Sequence, residues 1–185
     1  NPALQLDYTR GPLAPYMETN HEAFQCPNLS EVQLDHVRFG QLASGFGYNA
    51  QYLSRSSGIE YAPPTWAPAH SSQPLCRRIR DLASTSATIA FADAAGVFCV
   101  DFACTSTELR ENWIVEPPSQ DFPSVHFRHN GTANVAFIDG HVESWGYGFK
   151  TPVWGDIARM RKENVGYIGK SLGDPAREDE WYDRN

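Results

Sequence analysis

The stretch from Phe127 to Trp145 constrains this chain more than any other, because apolar and polar residues alternate on both sides of Asp139-Gly140. Alternation with period two marks a strand with one buried face. Asp-Gly between two such runs predicts a two-residue type I′ turn, whose central residues both take positive φ. The predicted register sets Ile138 opposite His141, Phe137 opposite Val142 and Val135 opposite Ser144. Ala133, Val135, Phe137 and Val142 then share the buried face. Asn134, Ala136, Ile138, His141, Glu143 and Trp145 form the other, able to meet water, a neighbouring element or a partner subunit.

The rest of the chain reads as short strands with little helix. Gly45 to Leu53, Ala87 to Phe91 and Val97 to Ala103 are β-rich, the last two spaced as a hairpin or a strand pair joined by a loop. Residues 54–74 hold four prolines and read as a loop, long enough to predict an interface. Pro15 suits the first turn of a short helix near Leu13 to Glu18, and Asp156 to Glu163 is the best later helix. Cys76 to Leu82 reads as a short helix or turn. The expected class is α+β, mainly β: an antiparallel sheet in one domain over residues 1–185, with 151–185 as a C-terminal extension.

Charge narrows the partners. With 15 Lys and Arg against 22 Asp and Glu, the net charge is −7, which argues against nucleic acid and against an anionic membrane surface. No apolar run approaches the roughly 20 residues that span a bilayer, and no signal peptide pattern is present.

His129 is followed by nine residues and then Asp139-Gly140, within Phe-Arg-His-Asn-Gly-x-Ala-Asn-Val-x-Phe-x-Asp-Gly-His-Val. Upstream, in order, come Leu13-Ala-Pro-Tyr16, Ala23-Phe-Gln-Cys26-Pro27, Gly45-Phe-Gly-Tyr-Asn49 and Ala87-Thr-Ile-Ala-Phe-Ala-Asp93. Together, over roughly residues 12–146, these resemble a prepilin-type family, similar to type IV pilins and type II secretion pseudopilins, whose globular domain ends in this signature. Gly166-Tyr-Ile-Gly169 and Trp181-Tyr-Asp-Arg184 resemble the ends of some members more weakly. The resemblance implies a pilin-like globular domain, export to the cell surface or beyond, and self-association. Members also begin with a long apolar helix. Asn1 to Asp7 is at most the tail of one, residues 1–20 are its candidate remnant, and the chain reads as a processed product or a fragment starting beyond it.

Export makes disulfides the expected use of Cys26, Cys76, Cys99 and Cys104, which allow three complete pairings. The favoured arrangement is Cys26 with Cys76 and Cys99 with Cys104, the alternative being one or two buried free thiols. Zinc is not expected from this spacing. Related pseudopilins hold calcium in a carboxylate-rich C-terminal loop, which makes Asp174, Glu178, Asp179 and Glu180 the candidates here, against a solvated acidic tail. Asn28 and Asn130 open the sequons Asn28-Leu-Ser30 and Asn130-Gly-Thr132, so glycosylation is chemically allowed there.

No catalytic constellation is legible. A straight strand would part His129 from Asp139 by up to about 30 Å, so they cannot share a metal. Asp139 and His141 flank one turn, where Asp serves the turn and His is tolerated; His129 reads as a residue leading into a strand, its ring bonded to nearby backbone. A Cys, His and Asn set can be assembled from Cys26, His129 and Asn134, yet free choice among four Cys and six His makes it uninformative. Aromatic residues are a better lead, with Trp66, Trp145 and Trp154 as candidate contacts.

The expected function is therefore a non-enzymatic structural subunit of an extracellular or cell-surface pilin-like filament or secretion-related assembly, without catalytic, metal or cofactor residues. A secreted module that binds glycan or another surface polymer is the alternative. A metal-dependent hydrolase built on Asp139 and His141 is a third.

Overall fold

A computed structural model describes residues 7, 14–17, 20, 25–37, 44–54, 59–61, 68–70, 78–151 and 153–182. The strands are β1 (Phe46–Tyr48), β2 (Ile59–Tyr61), β3 (Pro68–His70), β4 (Ile89–Asp93), β5 (Gly96–Cys99), β6 (Thr107–Arg110), β7 (Val125–His126), β8 (Thr132–Phe137), β9 (Val142–Gly146) and β10 (Val165–Gly166). Among the described residues two short helices accompany them, α1 (Ala50–Leu53) and α2 (Ile157–Lys162). The fold is α+β and mainly β. Its centre is an antiparallel sheet in the order β1-β4-β8-β9, joined by the two-stranded ladders β5-β6, β7-β10 and β2-β3.

β8 alternates as its sequence dictates, with Ala133, Val135 and Phe137 buried and the residues between them half-buried. The turn after it differs from the expectation. Gly140 has φ of 94°, whereas Asp139 keeps a negative φ, and the bonds run from Gly140 N to Phe137 O (3.0 Å) and from Phe137 N to His141 O (2.9 Å). This is a three-residue loop with a bulge at glycine, which needs only one left-handed residue. The extra residue slips the register by one, so Ala136 faces Val142 and Val135 faces Glu143. A slip of one turns every side chain over. Val142, expected inside, is 64% exposed. The type I′ turn sits at the other end of β8, where Asn130 (φ 55°) and Gly131 (φ 82°) lie between His129 and Thr132, which exchange backbone bonds of 3.0 and 3.1 Å.

Other expectations shift for tertiary reasons. β4 and β5 do not pair with each other; β4 takes β1 and β8, and β5 takes β6. The strand read over Gly45 to Leu53 stops at Tyr48 because Asn49 is buried, its Nδ2 donating to Ile89 O (2.9 Å) and Tyr182 O (3.2 Å), and α1 starts there. Within the stretch read as loop, β2 and β3 form a ladder with Tyr61 opposite Pro68. A 3₁₀ turn at Ala14–Met17 carries Pro15, and α2 begins at Asp156, whose side chain accepts from Arg159 N, as a helix N-cap does.

Residues 151–185 are not an appendage: of the described part, Met160, Val165, Tyr167, Ile168 and Tyr182 are fully buried. Ile168 and Tyr182 join Ile89, Phe127, Val135 and Phe137 in one apolar cluster, with Trp145 and Trp181 packed on its edge. Met160 and Val165 close a second with Cys26, Leu29, Val97 and Leu109. At roughly 1.5 to 3 kcal/mol per buried large side chain, the C-terminal stretch is an essential part of both clusters.

Candidate functional site

β4 is an apolar strand that ends on a carboxylate, and Asp93 is fully buried there. A buried carboxylate must be paired. Arg128, next to β7 and 2% exposed at its side chain, donates from Nη2 to Asp93 Oδ1 (2.8 Å). The same guanidinium reaches the carbonyl oxygens of Gly45 and, at 3.3 Å, Ala94, and from Nη1 the Nδ1 of His126 at 3.1 Å. Asp93 Oδ2 accepts the backbone N–H of Asn134 (2.7 Å) and faces His129 Nε2 at 3.1 Å.

His129 stands at the first position of the Asn130-Gly131 turn, which holds its backbone and sends its ring toward the segment ahead of β1. There Cys26, buried and with a free thiol, brings its Sγ to 3.5 Å from His129 Nε2. Asn28 places its side-chain amide 3.0 Å from His129 Nδ1. Gly45 makes this approach feasible, since a Cβ there would lie 2.9 Å from Cys26 Cβ. Four separate stretches of the chain thus meet at one carboxylate: Cys26, Gly45, Asp93 and the pair Arg128-His129.

His126, 7% exposed, has its pKa pushed down to about 4, by burial first and by Arg128 second. It is neutral at pH 7, which fits its role as an acceptor for Arg128.

The remaining sequence-predicted residues lie elsewhere. Asp139 and His141 are at the far end of β8 from His129, bonded to each other through Oδ1 and Nδ1 at 2.6 Å. Asp139 Oδ1 also accepts the His141 backbone N–H (3.1 Å), and these bonds hold the carboxyl of Asp139 below its usual range. The His141 ring stacks on Phe137. Gly140 serves the bulge. Asn28 and Asn130 are exposed, as is Trp154, while Trp145 is half-buried against Trp181, with Lys170 Nζ over both rings at 5.4 and 5.1 Å. Trp66 and Cys76 lie outside the described residues. Cys99 and Cys104 form a disulfide, whereas Cys26 is not half of one.

The acidic C-terminal residues are not a solvated tail. Glu178 and Asp179 are buried, Glu178 bonding Lys150 (2.9 Å) and Asp179 accepting from Tyr52 Oη (2.8 Å) and Ser119 N (2.9 Å). Burial alone would lower the Lys150 pKa, but its bonds to Asp121 and Glu178 overcome that and raise it. Asp174 and Glu180 are tied into local bonds with Ala176 N and with Ser171 and Arg177.

Sequence reasoning missed Asp93 and Arg128. The usable signal was a charged residue closing an apolar strand, which is rarely buried unless paired. It also set aside Cys26 with His129, which the fold brings together, and Asn134, which takes part through its backbone.

No protein-family model, curated protein or solved structure matches this chain. Among the described residues no helix is long and apolar enough to cross a membrane.

Proposed function

We propose that this chain is the globular domain of a non-enzymatic structural subunit, exported to the cell surface or beyond, which self-associates in a pilin-like filament or secretion-related assembly. The observation that carries this reading is the tip between β5 and β6. There Val100 is 51% and Phe102 105% exposed, on a loop closed by the Cys99–Cys104 disulfide. Asp101 ties the loop internally, accepting from Thr105 N (3.1 Å), Thr105 Oγ1 (2.7 Å) and Ser106 N (3.1 Å). A phenyl ring held in water on a rigid mount loses little entropy when a partner covers it. β9 adds a second surface. It ends the central sheet, and the bonds of Phe137 with His141 and of Tyr147 with Gly131 turn the backbone groups of Val142, Ser144 and Gly146 away from β8.

The buried Asp93 network fits the same reading, since it occupies the family-like residues in holding the fold. Sedimentation velocity over rising concentration, with electron microscopy of the same samples, tests the proposal. Association that Phe102→Asp abolishes without lowering the melting temperature supports it. A wild-type chain that stays monomeric throughout, with the variant indistinguishable, refutes it. The glycan-binding alternative has the exposed Trp154 in its favour, 58% accessible. Retention on a polysaccharide column that Trp154→Ala removes would put it first.

A further inference from the structure

We propose that Cys26, Asp93 and His129 bind a zinc ion, through Sγ, Oδ2 and Nε2. Among the described residues these are the three Cys, His, Asp or Glu side chains whose ligand atoms all lie within 4.8 Å of one another. They come from three separate parts of the chain: the segment before β1, the end of β4 and the turn into β8.

Two of the three ligand-to-ligand edges match a tetrahedral cage, and the third, Sγ to Oδ2, is within 4.8 Å. With Zn–S of about 2.3 Å and Zn–N and Zn–O of about 2.0 Å, a tetrahedron sets S and N about 3.5 Å apart and N and O about 3.3 Å apart. The structure has Sγ to Nε2 at 3.5 Å and Nε2 to Oδ2 at 3.1 Å. Thiolate, imidazole and carboxylate together match a borderline-soft divalent cation and suit calcium or magnesium poorly.

The surroundings supply what such ligands need. Arg128 holds the other carboxylate oxygen of Asp93 and the Asn134 N–H takes one side of Oδ2, which fixes the carboxylate toward the ring. Asn28, whose Nδ2 stands 3.0 Å from His129 Nδ1, is the outer partner at the ring's other nitrogen. With zinc on Nε2 the ring carries its proton on Nδ1, and Asn28 turns its amide oxygen to accept it. Cys26 binds as thiolate, its proton leaving to solvent. Cys26 and Asp93 are buried, while the His129 side chain is 23% exposed and gives the ion a way in. With three protein ligands among the described residues, a fourth position is open to water. The site stitches the segment before β1 onto the central sheet, and it stands independently of the assembly proposal.

The test uses the purified chain, kept reduced at Cys26 by a metal-free reductant and titrated with zinc against a chromophoric chelator, then with cobalt as a spectroscopic stand-in. One zinc per chain is expected, with a higher melting temperature and a thiolate-to-cobalt charge-transfer band. Cys26→Ser should remove the band and weaken zinc by more than the roughly 10- to 100-fold that loss of an outer partner costs, and Asn28→Ala should cost that smaller factor. Cys76→Ser should change neither band nor affinity. Absence of binding, a band that survives Cys26→Ser, or a Cys26–Cys76 crosslink in the native protein's peptide map would each overturn the proposal.

Discussion

Acid should destabilise this protein through His126. Its folded pKa is about 4 against 6.5 for the free side chain, because burial and Arg128 both oppose the imidazolium. Between those values the unfolded chain binds more protons than the folded one, so stability falls as pH drops through the window and stops falling on this account below the folded pKa. At about 1.4 kcal/mol per pKa unit, the loss from pH 7 to pH 4 is about 3 kcal/mol, some two thirds of it by pH 5. Glu116, held above its usual range by burial, acts in the opposite sense and Asp139, held below its range, in the same sense, so a bare pH profile mixes several groups. Urea denaturation across this range, with chelator present, should therefore compare the wild type with His126→Asn, which keeps an acceptor for Arg128. The variant should be less stable at neutral pH but should lack the His126 part of the slope. Equal slopes in both proteins would mean that His126 becomes charged in the folded state without penalty, and the account of Arg128 as a donor to a neutral ring would be wrong.

Arg128→Met should destabilise by about 3 to 5 kcal/mol in a denaturant titration, because it strands the Asp93 carboxylate in the core; a loss under 1 kcal/mol would show that water reaches Asp93. Replacing Cys99 and Cys104 by Ser should cost about 2 kcal/mol, the small loop they close, five residues apart, limiting the gain, and a calorimetric melt reads it. Gly140→Ala should lower stability by about 1 kcal/mol, since alanine is strained at φ of 94°, whereas the same change at a type I′ Asp-Gly pair would also alter the register, which backbone NMR contacts across β8 and β9 would reveal.

Local pattern was enough to place β8, α2 and the turn at Asp139-Gly140, because each is written in residues a few positions apart. It failed where one residue's worth of geometry mattered. Asp139-Gly140 is compatible both with a two-residue loop and with a three-residue bulge, and only the latter leaves Asp139 free to cap His141. Asn130-Gly131, the stronger hairpin pair, is masked in sequence because the strand before it is so short. Asn49 ends β1 through bonds to Ile89 and Tyr182 that no window around it contains. The cluster at Asp93 was invisible for the same reason. Cys26, Asp93 and His129 carry no common spacing, and the fold alone makes them neighbours. The acidic residues near the end looked like solvated charge because Lys150, Tyr52 and Ser119, which bury Glu178 and Asp179, lie far away in sequence.

Tyr182 in the first apolar cluster has a kinetic consequence. The Ile89 amide donates to Trp181 O at 2.8 Å and the Asn49 amide spans 133 residues to reach Tyr182 O. Contacts of that range close large loops before they return any energy, so this domain should fold slowly for its size. On the ribosome its central sheet would wait, half-covered, until residue 182 has left the exit tunnel, and the nascent strands would depend on a holding chaperone until then.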